Sequence, residues 1–123
     1  LKRRGMVKTS KDFKNFQRYF LEYQKLFGLT GYTVYFKYEP LEEAFASISV
    51  NQTDMVATVR LNSKLLNKDK PYKNIRKSAK HEALHLLLHR LEALATYRYS
   101  TEAEIIEACE ELVHKLALLI KEK

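Results

Sequence analysis

Apolar and polar residues alternate along the chain with two different periods, and the changes of period divide it into elements. From Lys11 to Phe27 large apolar residues recur every three or four positions. Phe13, Phe16, Phe20, Tyr23 and Phe27 then share one aromatic stripe, the core-facing side of an amphipathic helix. Ser10 or Asp12 is placed to cap its start and Gly28 to close its end. The period drops to two at Thr33 to Tyr38, a run of β-branched and aromatic residues that reads as a strand and stops at Glu39-Pro40. Phe45–Val50 and Met55–Leu61 also read as strands, joined by the polar turn Asn51-Gln52-Thr53-Asp54. In the last of these, Met55, Ala57, Val59 and Leu61 fall on one face and Val56, Thr58 and Arg60 on the other, a pattern that suits a sheet with one solvated side or an edge. A polar connection from Asn62 to Asn74, with room for a helical turn at Ser63–Leu66, leads to a long helix from Ile75 to Ala95. After a short link, Ser100 or Thr101 caps a last helix that runs to about Lys121, with Glu residues in its first turns where the helix dipole favours them.

The order is helix, three strands, two helices. The expected fold class is therefore α+β: an N-terminal helix, a small, mostly antiparallel three-stranded sheet, and two further helices on one side. Residues 1–10 read as a basic tail and 11–123 as one domain; the sequence is either a fragment or, with Met6 as the native start, carries Leu1 to Gly5 as foreign residues.

Composition narrows the classes. The 123 residues are 46% hydrophobic and 30% charged, with three Gly and two Pro, which argues against disordered and low-complexity chains. No run reaches the roughly 20 apolar residues of a membrane span. One cysteine cannot make an internal disulfide, so a reducing, cytoplasmic setting is expected. The net charge of +7 is unevenly placed. Lys64, Lys68, Lys70, Lys73, Arg76, Lys77 and Lys80 crowd one stretch, whereas Glu102 to Glu111 holds five Glu and no base. The basic stretch 64–80 is a candidate contact for a nucleic-acid backbone, although a solvated basic loop explains it as well.

Chemistry concentrates in His81-Glu82-Ala83-Leu84-His85. Residues four apart on a helix project from one face, so His81 and His85 can hold one metal ion without bending the backbone. Glu82 lies roughly 100° round the helix, free to act on a water beside the metal rather than to ligate it. Chance gives this pattern in about one sequence per hundred of such composition. Leu84, Leu87, Leu88, Leu91 and Ala95 mark a neighbouring apolar face, which puts the two histidines at the border of the buried stripe. The plainer alternative is a pair of surface histidines beside the core.

The His-Glu-x-x-His helix and the order of elements around it resemble the zincin metallopeptidases. They are most similar to short metallopeptidase-like proteins of phage and prophage origin, in which such a helix is followed by an acidic one. The resemblance covers the chain from Phe13 onward, with only His81–His85 specific. It implies a minimal zincin-like fold, a catalytic Zn²⁺ and hydrolysis of peptide bonds with Glu82 as general base. A third protein ligand is usual for catalytic zinc. His89 continues the histidine ladder but lies too far along a straight helix, and the metzincin solution, a Gly at position 88 with a later His, is not present. In the gluzincin branch a Glu on the following helix ligates. Helical projection takes Ile105, Ile106, Cys109, Leu112, Val113, Leu116 and Ile120 as the buried face of that helix. Glu110 lies at its border, which makes Glu110 the expected ligand and Glu107 the second choice. Cys109 is expected in the core rather than on the metal. Where some gluzincins place an acidic residue four positions after the ligating Glu, this chain has His114. Tyr97 and Tyr99 are nearby in sequence as candidate oxyanion donors.

The expected substrate is an extended polypeptide added along strand 55–61. A non-catalytic zinc-binding or DNA-associated interaction module is the alternative.

Overall fold

The computed structural model describes residues 2–120, with side chains described from Lys11 onward. Its elements are α1 (Lys2–Leu26), β1 (Thr33–Glu39), β2 (Ala46–Asn51), β3 (Val56–Asn62), a 3-10 turn (Lys70–Tyr72), α2 (Ile75–Thr96) and α3 (Glu102–Leu119). The α+β class holds. Helix α1 starts at Lys2 rather than Lys11, so the backbone of 2–10 is helical. No proline interrupts this stretch, and Ser10 and Asp12 therefore lie inside the helix instead of capping it. Asp12 instead forms an ion pair with Lys73 at 2.8 Å. Gly28 closes α1 as expected, with φ at +71°. Gly28 N–H donates to the Lys25 carbonyl and Leu29 N–H to that of Gln24, which caps the last turn in a left-handed conformation that favours glycine.

The strand order is β1-β3-β2. β2 and β3 form the expected antiparallel hairpin, Ile48 opposite Val59, but β1 pairs with β3 in parallel, Phe36 opposite Val59. The sheet is thus mixed rather than mostly antiparallel. β3 is its central strand, so stretch 55–61 offers no free edge to an incoming peptide; β2 and β1 are the edges. Buried Asn62 holds the loop that makes this order possible. Its amide donates to the carbonyls of Leu41 and Ala44, and its oxygen accepts from Leu41 N–H.

Alternation decides which sheet face is wet. Ala57, Val59 and Leu61 are buried and Val34, Phe36, Ile48 and Val50 pack beside them, while Arg60 lies on the other face, bonded to Ser49 and paired with Glu39. The aromatic stripe of α1 covers the β1 side of the dry face: Phe16 and Phe20 are fully buried, each edge-on to Phe36, and Phe13 stacks on Tyr38. Ala79, Ala83, Leu86 and Leu87 of α2 complete the core.

Helix starts follow their caps. Asn74 accepts from Lys77 N–H at the start of α2. At α3, Thr101 accepts from Glu104 N–H while the Glu104 carboxylate accepts from Thr101 N–H, a complete capping box. Those bonds to Thr101 hold the Glu104 carboxyl below its ordinary pKa. A lowered carboxyl pKa contributes stability above the unfolded value, and that contribution is lost as pH falls through the folded one. Thr101→Ala keeps the backbone half of the box and removes the hydroxyl that accepts from Glu104 N–H and donates to its carboxylate. Loss of such an N-cap hydroxyl costs about 1 kcal/mol. Thermal melts of both proteins between pH 7 and pH 3 should show the gap narrowing on acidification.

Candidate metal and catalytic site

Helix α2 places His81 and His85 on one exposed face, and their rings meet edge to face with centroids 4.7 Å apart. The two Nε2 atoms stand 3.1 Å apart. Two nitrogens bound to one tetrahedral zinc at about 2.0–2.1 Å would be separated by roughly 3.3 Å. The pair therefore fits two positions of a zinc donor set through its Nε2 atoms, with little movement.

Glu82 turns the other way, toward the sheet, and is only 5% exposed. It lines a pocket with His81, Ala44, Phe45 and Ala46 on the approach to β2, and with Tyr72, Asn74, Lys77 and Ser78. Burial raises its carboxyl pKa, and the neighbouring His81 and His85 work against that rise. A raised carboxyl is a stronger proton acceptor when ionised, the property wanted of a general base near neutral pH.

The structure does not bring Glu110 to this pair. Among the described residues, no group of three His, Cys, Asp or Glu side chains is placed to hold a metal ion. The physical reason is the rotation of α3. Its buried line is Ala108 and Leu112, with Leu119 packed on the core, not the Ile106, Cys109 and Val113 line. At about 100° per residue, Glu110 lies roughly opposite that buried line. Its carboxylate is exposed and 3.9 Å from His114 Nε2. Cys109, expected in the core, is exposed for the same reason. Arg90 of α2 meets α3 in that rotation, bonding Glu107 at 2.9 Å and Glu111 at 2.7 Å. Glu107, the second choice as ligand, is thereby engaged in docking α3.

The remaining candidates separate along α2. His89 lines a pocket with Val50, Asn51, Gln52 and Thr53 of the hairpin, away from the pair. Tyr97 and Tyr99 follow the far end of the helix, roughly 24 Å of helical rise beyond His81. Tyr72, which sequence reasoning missed, lines the Glu82 pocket instead. The one signal for it was its position in Lys-Pro-Tyr, just before the cap of α2. Of the basic stretch, Lys73 is paired with Asp12 and Arg76 bonds the Tyr23 hydroxyl and lies over Tyr19, while Lys64, Lys68, Lys70, Lys77 and Lys80 are exposed. No described helix is long and apolar enough to cross a membrane.

The chain matches no protein-family model, no curated protein and no solved structure.

Proposed function

We propose that the chain is a zinc-dependent peptide hydrolase of the zincin kind. The observation that carries the reading is the convergence of His81 and His85 Nε2 atoms at 3.1 Å beside a buried carboxylate that opens on a pocket. His81 and His85 would hold the ion, and Zn²⁺ bound there would supply Lewis acidity toward a carbonyl and toward water. Glu82 accepts the proton of the attacking water and delivers it to the leaving amine. Tyr72 and Lys77, on the wall of the same pocket, offer hydrogen-bond donors to the charge that develops on the carbonyl oxygen. An extended peptide is best received along β2, the edge strand whose start borders the Glu82 pocket, as an added strand. The expected setting is cytoplasmic.

The test is zinc-supplemented protein assayed against a quenched fluorescent peptide library. Glu82→Gln should lower turnover by about 10²–10⁴-fold and leave zinc affinity, measured by competition with a chromogenic chelator, within a few-fold of wild type. Unchanged turnover in metal-loaded Glu82→Gln would contradict the role of Glu82.

One observation favours a second reading. The described residues bring two imidazoles together without the third protein ligand that a catalytic zinc usually has. That leaves a non-catalytic interaction module as the alternative, its pair open to ligands from a partner rather than closed as a structural zinc site. Its exposed lysines between 64 and 80 would then serve as a nucleic-acid contact. Zinc binding without turnover, together with a salt-sensitive shift of DNA mobility, identifies that case.

A further inference from the structure

A cavity of about 160 Å³ lies where α1, the ends of β1 and β3, the 3-10 turn and the start of α2 meet. Leu61 and Asn62, the buried members of its lining, form the floor. Half-buried Tyr38, Phe45, Leu65 and Ile75 form the walls, and exposed Lys70 and Lys73 lie at the rim. The walls are held from outside. The Asn62 amide donates to the Leu41 and Ala44 carbonyls, and its oxygen accepts from Leu41 N–H and Lys64 N–H. Those bonds pin the two segments that carry Phe45 and Leu65. Tyr38 is stacked on Phe13, and the Asp12–Lys73 ion pair at 2.8 Å ties α1 to the residue after the 3-10 turn. A guest meets walls already in place, which lowers the cost of binding.

The same bonds decide what the cavity accepts. Both N–H groups and both acceptor positions of the Asn62 side chain are engaged within the chain. Asp12 and Lys73 neutralise one another, and the charge of Lys70 is at the solvated rim. A charged guest would leave water for a floor whose polar atoms are already used. The volume suits one ring, since a cavity of about 150 Å³ lined by apolar side chains holds benzene. We propose that this cavity is a binding site for one uncharged aryl group, separate from the histidine pair. Two carriers share that chemistry, a free small aromatic molecule and an aromatic residue of a peptide. Phe45 and Ser78 line both this cavity and the Glu82 pocket, and Phe45 directly precedes β2, where a peptide would be added. The peptide carrier therefore rests on the peptide-hydrolase reading, and the site itself does not.

Titration of metal-free protein with toluene, followed by amide chemical shifts, tests the site. Wild type should show saturable shifts centred on Leu61, Asn62, Leu65 and Ser78. Leu65→Trp, which fills the cavity, should weaken binding by about tenfold or more. Leu66→Trp, the same enlargement at an exposed neighbour outside the lining, should bind as wild type does. Leu65→Ala, which enlarges the cavity, should shift preference from toluene toward naphthalene. Benzoate and benzylammonium should bind wild type about tenfold or more weakly than toluene. Far-ultraviolet circular dichroism checks that each variant is folded. Absence of saturable shifts, equal loss in Leu65→Trp and Leu66→Trp, an unchanged preference in Leu65→Ala, or tighter binding of benzoate than of toluene overturns the proposal. Two blocked peptides that differ only in Phe or Ala separate the carriers. Tighter binding of the Phe peptide, with shifts along β2 as well as in the cavity, assigns the ring to a peptide. Equal binding of the two, with toluene still bound, assigns it to a free molecule. None of these readouts depends on zinc or on turnover.

Discussion

Phe20→Ala should destabilise the protein by about 3–5 kcal/mol, the range for removing a buried aromatic ring. Phe20 is fully buried and its ring is 5.6 Å from that of Phe36, edge to face. Its loss removes apolar area and the aromatic contact between α1 and β1 and leaves a cavity. Phe16 cannot collapse into that space easily, because it is itself held against Phe36. A domain of this size is stable by roughly 6–18 kcal/mol, so one ring represents a large share of the total. Urea titration followed by circular dichroism should show a much lower midpoint with little change in slope. Leu21→Ala, half exposed on the same helix, should stay within about 0.5 kcal/mol of wild type. Equal effects at the two positions would contradict the packing of α1 on β1.

His85→Ala should act on the metal and not on the fold. Its side chain is exposed, and its described contacts are with His81. The urea midpoint should therefore match that of wild type. Zinc affinity should fall by about 100-fold or more, since even an outer partner of a ligand is worth roughly 10–100-fold. A ligand present at a hundred times its dissociation constant stabilises the folded state by about 2.7 kcal/mol. Zinc should accordingly raise the melting temperature of wild type by several degrees and leave that of His85→Ala nearly unmoved. Glu110→Ala, opposite the packed face of α3, should respond to zinc as wild type does. A lost response in Glu110→Ala would instead return Glu110 to the ligand set.

Much of this arrangement is legible in the sequence because it depends on local rules. The stripe of α1, the cap at Thr101, the hairpin around Asn51–Asp54 and the closeness of His81 to His85 each follow from period, cap or turn chemistry, or spacing within one element. The strand order does not. Alternation along β3 reports which face is wet, and Thr58 and Arg60 face water whether the strand is central or at an edge. The rotation of α3 is hidden for a related reason. The helix has two apolar lines, and projection favours the one with larger side chains. The fold buries the line containing Ala108, and the guanidinium of Arg90 reaches Glu107 and Glu111 in that orientation. That choice, made between elements, also carries Glu110 away from the histidines.

Only four residues separate β2 from β3, so this hairpin can zip up within microseconds. β1 enters from the other side of β3, in parallel and across a longer chain closure, the slower kind of pairing. Assembly of the sheet should therefore finish with the arrival of α1 and β1, and Phe16 and Phe20 should be among the last large side chains to leave water. A nascent chain would then remain exposed along β3 until that docking occurs, even though the segment supplying β1 was synthesised first.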